Sequence, residues 1–163
     1  MNDFLLVLAQ IAVTLAGLTG ILVAFSGSNG KLVPSDSLRV RVIVTAAIYS
    51  GFLALLPLAL LSIEFAAPYA WTSSTVFYLL FMAFFLFSQR RHELRAGKEV
   101  VLEIKGSHRQ IAWGLASSSV LISLVNLSTL FGPVQPGLYL LTILFTLLTS
   151  GIVFLGLVYH RLL

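Results

Sequence analysis

Hydrophobic residues run along this chain in long unbroken blocks, with neither the alternation of a half-buried strand nor the single stripe of a surface helix. Formal charge is missing from Phe4–Gly30, Val42–Ile63, Phe65–Gln89 and Gln110–His160. A bilayer-spanning helix needs about 20 apolar residues, so the first three blocks hold one helix each and the last holds two. The pattern predicts an all-α polytopic membrane bundle, a single transmembrane domain over residues 1–163. Its five transmembrane helices are expected near 4–25, 42–63, 69–88, 111–131 and 137–159, with cytoplasmic loops 26–41 and 89–110. Pro68 opens the third span, where a missing backbone donor costs a helix nothing. Thr72, Ser73, Ser74 and Thr75 dilute its first turns, and GPVQPG (132–137) separates the last two spans. The first block is too long for a secretory signal core, and Asp3 stands where such a signal carries a basic residue. It reads as a retained span.

Composition sharpens this picture. Hydrophobic residues make up 58% of the 163 residues and charged residues only 10%, with a mean hydropathy of +1.00. A soluble domain carries about 25% charged residues. Water-soluble folds are excluded on that ground, and no polar stretch is long enough to form a soluble domain beside the membrane part. With five spans, all 10 Lys and Arg residues fall on one face, leaving Asp3 and Glu64 on the other. Short basic loops mark the cytoplasmic side, which predicts an N-terminus outside and a C-terminus inside. The net charge of +4 is therefore a topology signal, with no aromatic-basic interleaving to suggest nucleic acid. The bilayer is the expected partner, with anionic lipids drawn to the 89–110 loop, whose EVVLEI segment can rest in the interface.

Aromatic residues are expected at the boundaries: Tyr69, Trp71 and Tyr139 outside, Trp113 and Tyr159 inside. Tyr78 falls near mid-bilayer, so its hydroxyl needs an internal partner. The rest of that span, FYLLFMAFFLF, is bulky all round and suits a lipid-facing helix. Spans two and three form a hairpin oriented like that of spans four and five, a 1+2+2 arrangement.

Catalytic chemistry finds little support. No Asp, Glu, Lys, Arg or His lies inside a predicted span, which argues against proton-coupled carriers and voltage sensors. Cysteine is absent, and so are the phosphate-binding loop, the HExxH helix and the GxSxG elbow. His92, His108 and His160 lie near the cytoplasmic boundary, and with Glu93, Glu99 or Glu103 they lack ligand-like spacing. Neither a metal nor another cofactor is expected, and no catalytic residue is assigned.

The informative feature is a set of uncharged polar residues at helical spacing. Gln10, Thr14 and Gly17 share one face of span one; Ser119, Ser123 and Asn126 do so on span four; Thr142, Thr146 and Thr149 do so on span five. At about 1.5 Å per residue, Gln10, Asn126 and Thr142 fall in one layer about 8–9 Å inside the outer boundary, with Thr14, Ser123 and Thr146 near the middle. Pro57 lies at the outer layer's depth in span two and frees the carbonyl of Leu53 for another donor. Two readings compete: these groups fasten spans one, four and five together, or they line a hydrated path for a small solute or ion. A second face of span one, Ala12, Ala16, Gly20 and Ala24, carries small residues that let another helix approach closely. Ala47 and Gly51 of span two repeat the pattern. That face is expected either to pack within the subunit or to meet a neighbouring one.

The opening AQIAVTLAGLTGILVAF, its basic loop and the Pro-containing second span resemble an uncharacterised family of small bacterial multi-pass inner-membrane proteins. The likeness covers mainly residues 1–65. It implies a bacterial inner membrane and transfers no activity or site residue. The function expected is that of a non-catalytic membrane protein, an oligomeric assembly or accessory subunit with a second copy or another membrane protein as partner. A passive channel through the Ser/Thr/Asn seam is the alternative, and a membrane enzyme or ligand-binding protein at His92, His108 or His160 is the third class.

Overall fold

The computed structural model describes residues 2–28, 34–96, 106–128 and 134–162. Five α-helices carry the chain: α1 (Asn2–Ser28), α2 (Pro34–Ser62), α3 (Ala67–Ala96), α4 (Gly106–Leu127) and α5 (Pro136–Leu162). All five are long and apolar enough to cross a membrane. Their surface agrees with that composition: Phe84 is 64% exposed and Phe87 69% exposed on α3, a display that only hydrocarbon or another protein makes favourable.

Helices α2, α3, α4 and α5 form a ring in which each packs on the next and α5 closes back on α2. Helix α1 lies outside the ring, against α2 and more lightly against α5. The two hairpins, α2–α3 and α4–α5, thus build the bundle, and the unpaired first span is peripheral. Arg41, near the start of α2, reaches Ser88, near the end of α3, at 3.4 Å, so this hairpin is antiparallel. One end of the bundle bears Ser62, Ala67, Leu127 and Pro136; the other, basic end bears Arg39, Arg41, Arg90, Arg91 and Arg95.

The helix boundaries follow local chemistry. Pro34 and Pro136 each stand first in their helices, where the pyrrolidine ring is pre-set for helical backbone. Helix α2 begins well before residue 42 because Asp36 sits in its first turn, favourable at the positive end of a helix. Asp36 also pairs with Arg39 at 3.2 Å. Helix α3 likewise continues past residue 88 to Ala96. Helix α4 stops at Leu127, short of the expected 131, where the Ser128 amide closes on the Leu124 carbonyl at 2.9 Å.

At the α2–α3 turn, Glu64 has a φ of 60°. The Glu64 amide bonds the Leu61 carbonyl and the Phe65 amide bonds the Leu60 carbonyl, both at 3.2 Å. This is the paired closure that glycine usually makes at a helix C-terminus. A side chain in left-handed backbone costs about 1–2 kcal/mol, partly offset by glycine's greater freedom when unfolded. Glu64→Gly should therefore raise stability by about 0.5–1 kcal/mol, read as a higher midpoint of unfolding in detergent. A lower midpoint would show that the Glu64 side chain contributes more than its backbone costs.

Packing inside the bundle is tight where residues are small. A Cβ at Gly51 of α2 would stand 3.4 Å from the Ala12 Cβ and 3.9 Å from the Ala9 carbonyl oxygen, so α1 and α2 approach backbone to backbone here. Leu5, Ala12 and Thr19 of α1, seven residues apart, are each fully buried. The expected packing face, Ala12, Ala16, Gly20 and Ala24, is only partly used. Ala12 is buried and Ala16 half-buried, while Gly20 and Ala24 are exposed. A strict four-residue repeat turns about 40° per step around a helix of about 100° per residue. By Gly20 the stripe has therefore left the interface.

Candidate functional site

The polar side chains singled out on α4 and α5 lie inside the bundle. Ser119, Ser123, Asn126, Thr142, Thr146 and Thr149 are all buried. The span-one set does not join them. Gln10, Thr14 and Gly17 are not buried against the ring; Gln10 and Thr14 are exposed on the far side of α1, and the Thr14 hydroxyl bonds its own helix at the Gln10 carbonyl, 2.8 Å away. The reason is steric: close approach to Gly51 requires Ala9 and Ala12 on the inner face, which turns the polar stripe, on the opposite face, outward. In place of α1, helices α2 and α3 supply the missing partners.

Two tyrosines organise the interior. The Tyr78 hydroxyl of α3 lies 2.8 Å from Thr146 Oγ1, and Thr146 donates to the Thr142 carbonyl at 3.0 Å. The single threonine proton is thereby engaged, so Tyr78 is the donor in the first bond. Ser119 of α4 stands beside the same phenol. The internal partner that Tyr78 required is thus Thr146. Nearer the turn end, the fully buried Tyr139 donates to the Leu53 carbonyl at 2.7 Å. This is the carbonyl that Pro57, four residues on, leaves without a helical donor. Ser74 of α3 lies beside Tyr139, and Trp71 meets its ring edge-on with centroids 5.8 Å apart.

The aromatics assigned to the boundaries differ in exposure. Trp71 and Tyr139 belong to the core, whereas Tyr69 and Tyr159 are exposed. Helix α3 is also two-sided: Tyr78, Met82 and Phe85 are buried while Phe77, Leu80, Phe84 and Phe87 face outward. Ser74 and Thr75, which dilute the apolar run of that span, are fully buried and bond the Ala70 and Trp71 carbonyls at 2.8 and 2.9 Å.

Most seam hydroxyls are satisfied within their own helices. Ser119 bonds Ala116 at 2.7 Å, Ser123 bonds Ser119 at 2.9 Å, Thr142 bonds Tyr139 at 2.7 Å and Thr149 bonds Phe145 at 2.9 Å. Asn126 clips the α4–α5 connection: its Oδ1 accepts the Gln135 amide at 2.8 Å and its Nδ2 donates to the Gln135 carbonyl at 3.3 Å. Among the described residues, Ser50 Oγ is buried without a hydrogen-bond partner. Chemically the seam is a set of neutral hydroxyls, most of them turned onto carbonyls of their own helices.

A second polar cluster, at the basic end, lies outside the polar stripes that the sequence singles out. Asp36 is fully buried and the Arg39 side chain is 8% exposed. Its signal in the sequence is an acid and a base three residues apart, which share a helix face. Of the three histidines, His92 is half-buried near the end of α3. The side chains of His108 and His160 lie outside the described residues, as do those of Glu99 and Glu103. The chain matches no family model, curated protein or solved structure with which it was compared.

Proposed function

We propose that the protein is a non-catalytic membrane subunit that acts by assembly, crossing a bacterial inner membrane five times with its N-terminus outside and its C-terminus in the cytoplasm. Gathering of Arg39, Arg41, Arg90, Arg91 and Arg95 at one end of the bundle supports that orientation. Assembly rests chiefly on one observation: α1 lies outside the ring and turns Gln10 away from it. A glutamine amide brings two donors and an acceptor oxygen, and hydrocarbon offers nothing to bond them. Gln10 has no side-chain partner among the described residues. A second copy presents the same amide at the same depth. Gly17 and Gly20 on the same helix have no other side chain within 4 Å of where a Cβ would sit, so they leave room for a helix to approach.

Interhelical hydrogen bonds in bilayers are worth about 0.6 kcal/mol on average, so bonds and close packing must act together. Gln10→Leu combined with Gly17→Leu should convert the assembled form to a single subunit at low protein concentration, read by mass photometry in nanodiscs. A wild-type protein that is already a single subunit, or a variant that assembles unchanged, would overturn the self-assembly reading. The channel reading is favoured by the stacked hydroxyls of Ser119, Ser123, Thr142 and Thr146. Against it, those hydroxyls are engaged by carbonyls of their own helices. Solute flux in proteoliposomes that Thr146→Leu abolishes would replace assembly with conduction.

A further inference from the structure

Two helices bring several cations together at the basic end. Arg41 of α2 and Ser88 of α3 meet across the hairpin at 3.4 Å, and His92 is within electrostatic reach of Arg41, Arg91 and Arg95 at once. Arg41, Arg91 and Arg95 have no carboxylate partner among the described residues. The acid of α2's first turn, Asp36, already faces Arg39, and Glu93 of α3 stands about 120° around the helix from the line of Phe81 and Ser88. Arg41, Arg91 and Arg95 are all exposed, and no acid among the described residues pairs with them.

What lies beneath them separates a lipid from a soluble anion. Further along the same hairpin, Tyr49 of α2 stacks on Phe81 of α3 with centroids 3.8 Å apart. Eight residues separate Arg41 from Tyr49 and seven separate Phe81 from Ser88, so the stack lies about 11–12 Å deeper than the Arg41–Ser88 contact. Exposed Phe52 and Phe77 carry the apolar surface further down. An outward face with cations at headgroup height and aromatic rings at acyl depth has the charge and polarity profile of one phospholipid.

We infer that the α2–α3 hairpin holds an anionic phospholipid, its phosphate on Arg41, Arg91 and Arg95 and its acyl chains against Tyr49 and Phe81. The inference uses the membrane placement proposed above and is independent of self-assembly. Helix α1 packs against Gly51, about 160° around α2 from Tyr49, so a Gln10→Leu subunit keeps its lipid whether or not it assembles.

Native mass spectrometry of the purified protein, equilibrated with equimolar phosphatidylglycerol and phosphatidylcholine of identical chains, tests this. The wild type should retain phosphatidylglycerol preferentially. Each basic residue near a charged surface contributes enough for about a fivefold change in occupancy, so Arg41→Gln should lower retention about fivefold and Arg91→Gln with Arg95→Gln by more. Arg90→Gln removes an equal charge from the opposite side of α3 and should leave retention unchanged. Tyr49→Ala should weaken retention of the lipid. Equal retention of the two lipids by the wild type, which needs no variant to fold, would overturn the inference. So would an Arg90→Gln effect as large as that of Arg41→Gln, which means diffuse surface attraction. Displacement of the lipid by millimolar inorganic phosphate would also overturn it, marking a site for the free anion.

Discussion

Asp36→Asn is expected to lower the unfolding free energy by about 3 kcal/mol, the largest single effect among the substitutions considered. Asp36 is fully buried and Arg39 nearly so, with 3.2 Å between them. The amide keeps the shape of the carboxylate and removes its charge, leaving a guanidinium in a site of low polarity. The loss is then mainly the cost of an uncompensated cation, not the value of the pair itself. A double variant separates these terms. Arg39→Met in the Asp36→Asn background removes the stranded charge and should recover most of the stability, whereas Arg39→Met alone leaves an anion in the first turn of α2, where the helix dipole partly stabilises it. Unfolding of the purified protein by heat or by denaturing detergent provides the measurement. A cost below about 1 kcal/mol for Asp36→Asn is the signature of a solvated pair, and would mean that Arg39 reaches water by extending along the helix.

That pair also marks the limit of what is legible from the chain. Span count and order follow from charge-free blocks long enough to cross hydrocarbon, and five helices of the required length and composition are present. Helix α2 nevertheless starts at Pro34, ahead of the expected 42. The end of a charge-free block is not the end of a helix when Asp36 and Arg39 neutralise each other three residues apart, so a charged turn continues it. Within the seam, Ser119, Ser123, Asn126, Thr142, Thr146 and Thr149 stand out by their spacing and are buried. Periodicity reports which residues share a face. It does not report which neighbour that face meets. Gln10 and Thr14 share the spacing but point outward, since the interior of α1 is decided by backbone approach at Gly51. Tyr139 is buried among the helices, not exposed as an interfacial ring, for a related reason. An aromatic residue near a helix end reads as an interfacial ring, and only a partner on another helix makes burial of its hydroxyl favourable. That partner, the Leu53 carbonyl, is itself visible in the sequence through Pro57.

Tyr139→Phe should cost about 1–2 kcal/mol, and the cost should depend on the residue at position 57. The phenol is fully buried and donates to the Leu53 carbonyl at 2.7 Å. Pro57 has no amide hydrogen, so nothing else in α2 bonds that carbonyl in the usual helical manner. Removing one hydroxyl strands an acceptor where water does not reach. In Pro57→Ala the new backbone amide at position 57 can bond the Leu53 carbonyl directly. Tyr139→Phe in that background then deletes a hydroxyl from an acceptor already satisfied and should cost less by about 1 kcal/mol. Proline removal also alters packing at a buried position, but that contribution is common to both Pro57→Ala proteins and cancels in the double-mutant cycle. The dependence follows from the chemistry of one bond. A tyrosine acting only through its ring, against Trp71 at 5.8 Å, keeps that contact as phenylalanine and loses little in either background. Equal losses in the wild-type and Pro57→Ala backgrounds would mean that the hydroxyl and the proline-freed carbonyl are not coupled, and that α2 and α5 are held at this depth by shape alone.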